Sequence, residues 1–223
     1  MLSVLDLLDA ETLDLDLAAY LMARISRGAS FMVGANPGGA GKTTVMCALL
    51  NFVPPELSLL AASADAVRRG SARPHCFVCH EIGSGPYFAY LWGKDLQAYC
   101  ALHDSGHMLA TNLHADNIEE AYEQVCLDNG VPAAHFRAFG LLIFLEVGGV
   151  YPERWRRICR VHASEGGQRH QVVFDRAEER FTPDGDAVWR AACRAFLEDQ
   201  FKHGDRPIEA VRERVVEFLQ THL

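Results

Sequence analysis

The sequence has no apolar run long enough to cross a membrane, and its first residues are too acidic for an export signal. Both absences predict a cytoplasmic protein without direct membrane insertion. A basic surplus is missing too. The 21 Lys and Arg against 29 Asp and Glu leave a net charge of −8, which argues against nucleic acid as the main partner. Nor is there a disulfide framework. The seven cysteines, at positions 47, 76, 79, 100, 126, 159 and 193, are odd in number and irregular in spacing, as reduced thiols would be. Cys76 and Cys79 form a C-x-x-C, but they lie in an apolar run without a second ligand pair, so buried structural thiols are expected. Internal repeats, low-complexity tracts and long linkers are absent. With 223 residues and 49% hydrophobic content, the chain can bury one sizeable core.

What the sequence does contain is Gly34 to Thr44, G-A-N-P-G-G-A-G-K-T-T. The apolar run Ser30-Phe-Met-Val33 precedes it, and Val45, Met46, Leu49 and Leu50 follow at helical spacing. Strand, glycine-rich turn, Lys-Thr and helix are the parts of a phosphate-binding loop. Glycines let backbone N–H groups approach phosphate oxygens, and the helix N-terminus adds partial positive charge. The candidate nucleotide-binding residues are Asn36, Pro37, Gly38, Gly39, Ala40, Gly41, Lys42, Thr43 and Thr44. Lys42 would reach the terminal phosphates, and the Thr43 hydroxyl could ligate magnesium. Asn36 stands where the usual pattern has a glycine, and Asn is the side chain that best tolerates a left-handed backbone. The bland alternative is a glycine-rich turn that binds nothing.

Around the loop the pattern alternates between helix and strand. Residues 1–28 read as two helices, on Leu2, Leu5 and Leu8 and then on Leu17, Tyr20, Leu21 and Ile25. Leu57 to Leu60 is a candidate strand, residues 63–74 read as irregular, and His75 to Glu81 is an apolar strand ending in a carboxylate. In phosphate-loop folds such a strand-end carboxylate faces magnesium or the attacking water, which makes Glu81 a candidate for both. Gly83 to Gly93 is aromatic-rich and reads as packing or a subunit contact. Lys94 to His103 is helical, and His107 to His114 is a strand with a histidine at each end. Asp116 and Glu119 form a capping-box pattern for the next helix.

Leu141 to Val147 predicts a strand buried on both faces. Arg156 to Ala163 and His170 to Asp175 predict an antiparallel hairpin at the sheet edge. The cluster Arg154, Arg156, Arg157 and Arg160 reads as a solvated strand face, or more sharply as an arginine donated to a neighbouring subunit. Two helices close the chain, the second opening at Pro207. The expected fold is a three-layer α/β sandwich with a mostly parallel sheet, an edge hairpin and C-terminal helices. Residues 1–29 read as a helical appendage, 30–180 as the phosphate-loop core and 181–223 as helices packed on it.

Two further stretches narrow the reading. Arg73-Pro-His-Cys-Phe-Val-Cys-His-Glu81 resembles the R-P-x-x…G-E strand of the type II/type IV secretion ATPases, and Ser105 to Ala115 resembles that family's histidine box. The motifs stand in family order, and the resemblance covers roughly residues 10–175. It implies a RecA-like ATPase that binds ATP and Mg2+ and hydrolyses ATP to ADP in a homo-oligomeric, hexameric ring. Such rings serve pilus, archaellum or secretion machinery as protein partners at the cytoplasmic face of a membrane. Carried across, Lys42, Glu81 and His114 would be catalytic, with His114 contacting the γ-phosphate. Thr43 and Glu81 would hold the metal, and His107 would join the nucleotide-binding set.

The sequence also departs from the family. His80 replaces the glycine before Glu81, and the acidic box is unrecognisable in residues 61–67, where Asp65 is the sole stand-in. Only about 28 residues precede the first strand, so the family's separate N-terminal domain is not expected within this sequence, and the catalytic base is left open. A non-hydrolysing, nucleotide-gated or structural module is therefore the alternative. A small phosphate-loop kinase comes third, because no arginine-bearing lid follows Glu81.

Overall fold

The computed structural model describes residues 1–36, 38–150 and 153–222. Among them, nine strands form one sheet. Its centre is β1 (Phe31–Gly34), flanked by β5 (Met108–Leu113) and β6 (Leu141–Gly148), both parallel to it. Beyond β5 lie β3 (His75–Ile82) and then β2 (Ser58–Ala61), also parallel, and the short β4 (Tyr90–Leu91) pairs with the end of β3. Beyond β6 the direction reverses. There β7 (Trp155–Ala163), β8 (Gln171–Asp175) and β9 (Arg180–Phe181) continue the sheet antiparallel.

Side chains alternate across a strand, so the central strands must be apolar on both faces when helices cover both. Phe31, Val33, Leu141 and Ile143 enter one core, and Met32, Leu142 and Phe144 enter the other. The first core lies under α1 (Val4–Asp9), α2 (Leu15–Ile25), α3 (Lys42–Leu50), α8 (Ala187–His203) and α9 (Ile208–His222). The second lies under α4 (Ala64–Arg69), α5 (Lys94–Ala101), α6 (Ile118–Tyr122) and α7 (Ala133–Arg137). The fold is the expected three-layer sandwich with a mostly parallel sheet, antiparallel edge strands and C-terminal helices.

Several local expectations change. Residues 63–74 are not wholly irregular, because α4 forms there. The Ser63 hydroxyl accepts from Ala66 N at 3.2 Å as its cap, and only Val67 is buried, so no apolar stripe betrays the helix. The cap of α6 is Asn117, not Asp116. Its side-chain oxygen accepts from Glu120 N at 2.9 Å, and Asp116 is engaged elsewhere. The expected appendage is built into the main core: α2 buries Leu17 through Ala23 without interruption. Tyr20 donates to Asp184 Oδ1 at 2.6 Å, and Arg24 donates to the same oxygen at 2.6 Å and to Ser164 O at 2.8 Å. Those bonds join the first helices to the edge strands and to the segment before α8.

Candidate phosphate-binding site

The parallel register aligns the C-terminal ends of β1, β5 and β6, with Gly34 opposite both Leu113 and Phe144. The chain leaves β1 through a narrow gap. A Cβ on Gly34 would stand 2.6 Å from Ala115 O and 2.8 Å from the Phe144 ring, so only glycine fits. The loop then turns through Gly39 at φ +76° and Gly41 at φ +93°, both left-handed. Gly41 caps α3 without a side chain, which leaves the first N–H groups of that helix available to an anion. Of the expected loop residues, Pro37 lies outside the described residues.

Lys42, the first residue of α3, is buried and points back over the strand ends. Its ammonium donates to Ala35 O at 2.9 Å and to His114 Nδ1 at 3.2 Å, and lies 3.6 Å from Glu81 Oε2. With Nδ1 accepting, the ring proton of His114 stands on Nε2, which is 3.9 Å from Glu81 Oε2. Lys42 from the start of α3, Glu81 near the end of β3 and His114 just past the end of β5 thus meet at one point. Burial pushes the Glu81 carboxyl above its ordinary range, against the opposing pull of Lys42 and then His114. Burial likewise lowers the Lys42 ammonium, with Glu81 opposing. Glu81 Oε1 is buried without a hydrogen-bond partner among the described residues. The Thr43 side chain is exposed beside it, and Asn112 Nδ2 donates to His80 O at 2.8 Å and reaches Thr43 Oγ1 at 3.5 Å.

His107 is a correction. It precedes β5 at the opposite end of the sheet, seven residues and roughly 20 Å of extended strand from His114. There its Nδ1 accepts from His75 N at 3.2 Å, and its ring packs against His75 and Phe77. Parallel strands present only one end to the loop, so one histidine of the box reaches the site. Asp65 is exposed, pairs with Arg68 at 2.8 Å and does not line the cleft around the loop. His80 is exposed and tilts against Tyr90, at 5.5 Å between ring centres. Cys76 and Cys79 face opposite cores, as an odd spacing on a strand requires, so they cannot share a metal. Burial pushes both thiols up to about 12.

Two features were missed from sequence. Asn36 is clamped by carboxylates from the loop before α6 and from α6 itself. Its backbone N donates to Asp116 Oδ1 at 2.7 Å, and its side-chain amide donates to Asp116 Oδ2 at 3.0 Å and Glu120 Oε2 at 2.9 Å. The departure from glycine therefore carries a tether. Arg156 lies over the loop of its own chain, where its Nε donates to Gly39 O at 3.0 Å and its Cδ would stand 3.1 Å from a Cβ on Gly41. The rest of the arginine cluster is largely committed as well: Arg160 pairs with Asp175 at 2.7 Å and Arg157 with Glu11 at 3.1 Å. No local signal joins Arg156 to a loop more than a hundred residues earlier.

A cleft of about 810 Å³ opens over the loop, between Glu81 and His114 on one side and α1 and β7 on the other. That is the size of a small-molecule site. Among the described residues no helix is long and apolar enough to cross a membrane.

No protein-family model matches this sequence, and no curated protein sequence matches it. Solved structures with a similar fold include the VirB11 ATPase from the Brucella suis type IV secretion system in complex with sulphate. It is 19% identical over 64% of this chain and 50% of its own, with a TM-score of 0.47. The Yersinia pseudotuberculosis ATPase DotB is 10% identical over 95% of this chain and 62% of its own, also with a TM-score of 0.47. The chain therefore spans half to about three fifths of the length of these two proteins.

Proposed function

We propose that this chain binds ATP with magnesium and hydrolyses it as a motor ATPase of the type II/type IV secretion kind. The observation that carries the reading is the convergence of Lys42, Glu81 and His114 beside the uncapped N-terminus of α3. Lys42 exchanges Ala35 O and His114 for the terminal phosphates, and the N–H groups of the loop and the first turn of α3 receive the remaining oxygens. In this reading the Nε2–H of His114, now 3.9 Å from Glu81 Oε2, would donate to a γ-phosphate oxygen, and its release would report loss of that group. Arg156 adds a second positive charge above the loop. Glu81 Oε1, without a hydrogen-bond partner among the described residues, and the exposed Thr43 hydroxyl are the groups that fit magnesium. When bound, the ion neutralises phosphate charge. Assembly as a homo-oligomeric ring, and service to membrane machinery at its cytoplasmic face, rest on the motif resemblance.

One observation favours a second reading, a nucleotide-gated module that does not hydrolyse. Glu81 is the only carboxylate lining the cleft among the described residues, and Asp116 and Glu120 are spent on Asn36. Measuring ATP affinity and steady-state turnover for wild type, Lys42→Ala and Glu81→Gln separates the two. The motor reading expects Lys42→Ala to lose binding, and Glu81→Gln to bind but turn over about a hundredfold more slowly. Equal activity in all three sinks it, and tight binding without wild-type turnover selects the gate.

A further inference from the structure

Asn36 stands two residues past the end of β1, and Asp116 stands two residues past His114. Of the bonds that join them, a glycine at position 36 could make only the one from its backbone N to Asp116 Oδ1. The side-chain amide adds the other two, to Asp116 Oδ2 at 3.0 Å and to Glu120 Oε2 at 2.9 Å. The carboxylates are themselves held. Glu120 Oε2 also accepts from Asp116 N at 2.9 Å, and Glu120 Oε1 accepts from Asn117 Nδ2 at 2.7 Å. The bonds therefore close into one network across the loop and the start of α6.

The same two segments meet at two further places. Ala35 N donates to Leu113 O at 3.3 Å, and the Lys42 ammonium bridges Ala35 O and His114 Nδ1. In the nucleotide-bound state proposed for this site, Lys42 leaves both partners for phosphate, and its bridge to His114 is lost. The Asn36 bonds face no such competition, because Asn36, Asp116 and Glu120 do not line the cleft. Asn36 and Asp116 are exposed and Glu120 is half-buried, and hydrogen bonds between such groups contribute little to stability. What they can fix is the distance between the loop and the His114 segment.

We infer that Asn36 is a positioning residue, which through Asp116 and Glu120 holds His114 beside the loop once Lys42 has moved to the phosphates. The inference rests on the phosphate-loop reading and adds to it a determinant of specificity. His114 touches the terminal phosphate alone, so the clamp favours a nucleoside triphosphate over a diphosphate.

The test measures affinities for ADP and for a non-hydrolysable ATP analogue, each with magnesium, by titration calorimetry on the full chain. Wild type is expected to prefer the analogue. Asn36→Gly and Asp116→Ala should each shrink that preference by about threefold or more, the scale of one hydrogen bond to the terminal phosphate. The Asp116 charge acts on Lys42, and its removal by itself would favour the more negative ligand, so charge does not account for a fall. Asp116→Ala leaves the loop sequence intact and decides the matter if Asn36→Gly loosens the loop. In a His114→Ala background neither change should lower the preference further, whereas a merely structural clamp would act there undiminished. Variants that weaken both ligands alike, or a wild type that binds the two equally, would overturn the clamp and leave the loop reading standing. Failure of wild type to bind either ligand would bring down both.

Discussion

At the scale of single residues, the site is governed by the desolvation of two opposite charges. Glu81 and Lys42 have side chains only 8% and 9% exposed, so each loses hydration that its partner at 3.6 Å only partly replaces. The net effect on Glu81 is a carboxyl raised above its ordinary range, with burial the larger cause and Lys42 opposing. A group raised in the folded state contributes stability that is complete below its unfolded pKa and is lost as pH rises through the folded value. Glu81→Gln removes that loss. The variant should therefore gain stability relative to wild type as pH climbs from about 4 toward neutrality. Urea unfolding at several pH values checks this, and a gap that narrows with rising pH would contradict it. Asn36 makes a complementary point: its side chain was legible as a departure, but its carboxylate partners were not.

At the scale of elements, the phosphate loop depends on how closely β1 lies against its neighbours. Gly34 is constrained by space. Both the Ala115 carbonyl and the Phe144 ring occupy the volume a methyl group would need. Gly34→Ala should destabilise the fold by roughly 1–3 kcal/mol, the usual cost of overpacking. It should also weaken triphosphate binding, because the strand end that launches the loop is displaced. A variant with wild-type unfolding midpoint and affinity would refute the argument. The strands of the parallel sheet were readable because alternation and apolar runs are local signals. The short helix α4 was not, since Val67 is its only buried side chain, so it has a Ser63 cap but no apolar stripe.

At the scale of the whole molecule, α1 and α2 are structural. They bury Val4, Leu5, Leu7, Leu17, Tyr20, Leu21, Met22 and Ile25 in the larger core. At roughly 1.5–3 kcal/mol for each large apolar side chain, that gross contribution lies near or above the upper end of the about 5–15 kcal/mol typical of a whole domain's net stability. Removal of residues 1–28 should leave a chain without a cooperative unfolding transition, measurable by circular dichroism on heating. If the shortened chain melts cooperatively, those helices are the appendage that the sequence alone suggested.

The sequence by itself determined the α/β alternation, the glycine-rich turn before α3, the strand that bears Glu81 near its end and the strand that leads into His114. Each is written in residues that are neighbours along the chain, where hydrophobic period and turn chemistry act over a few positions. Tertiary structure decided which histidine of the box reaches Lys42, what holds Asn36, where Arg156 lies and what the first helices are for. Those outcomes depend on contacts between residues about 70 to 160 positions apart. No local periodicity records such pairings; they follow from the direction of parallel strands and from the packing of helices on both faces of one sheet.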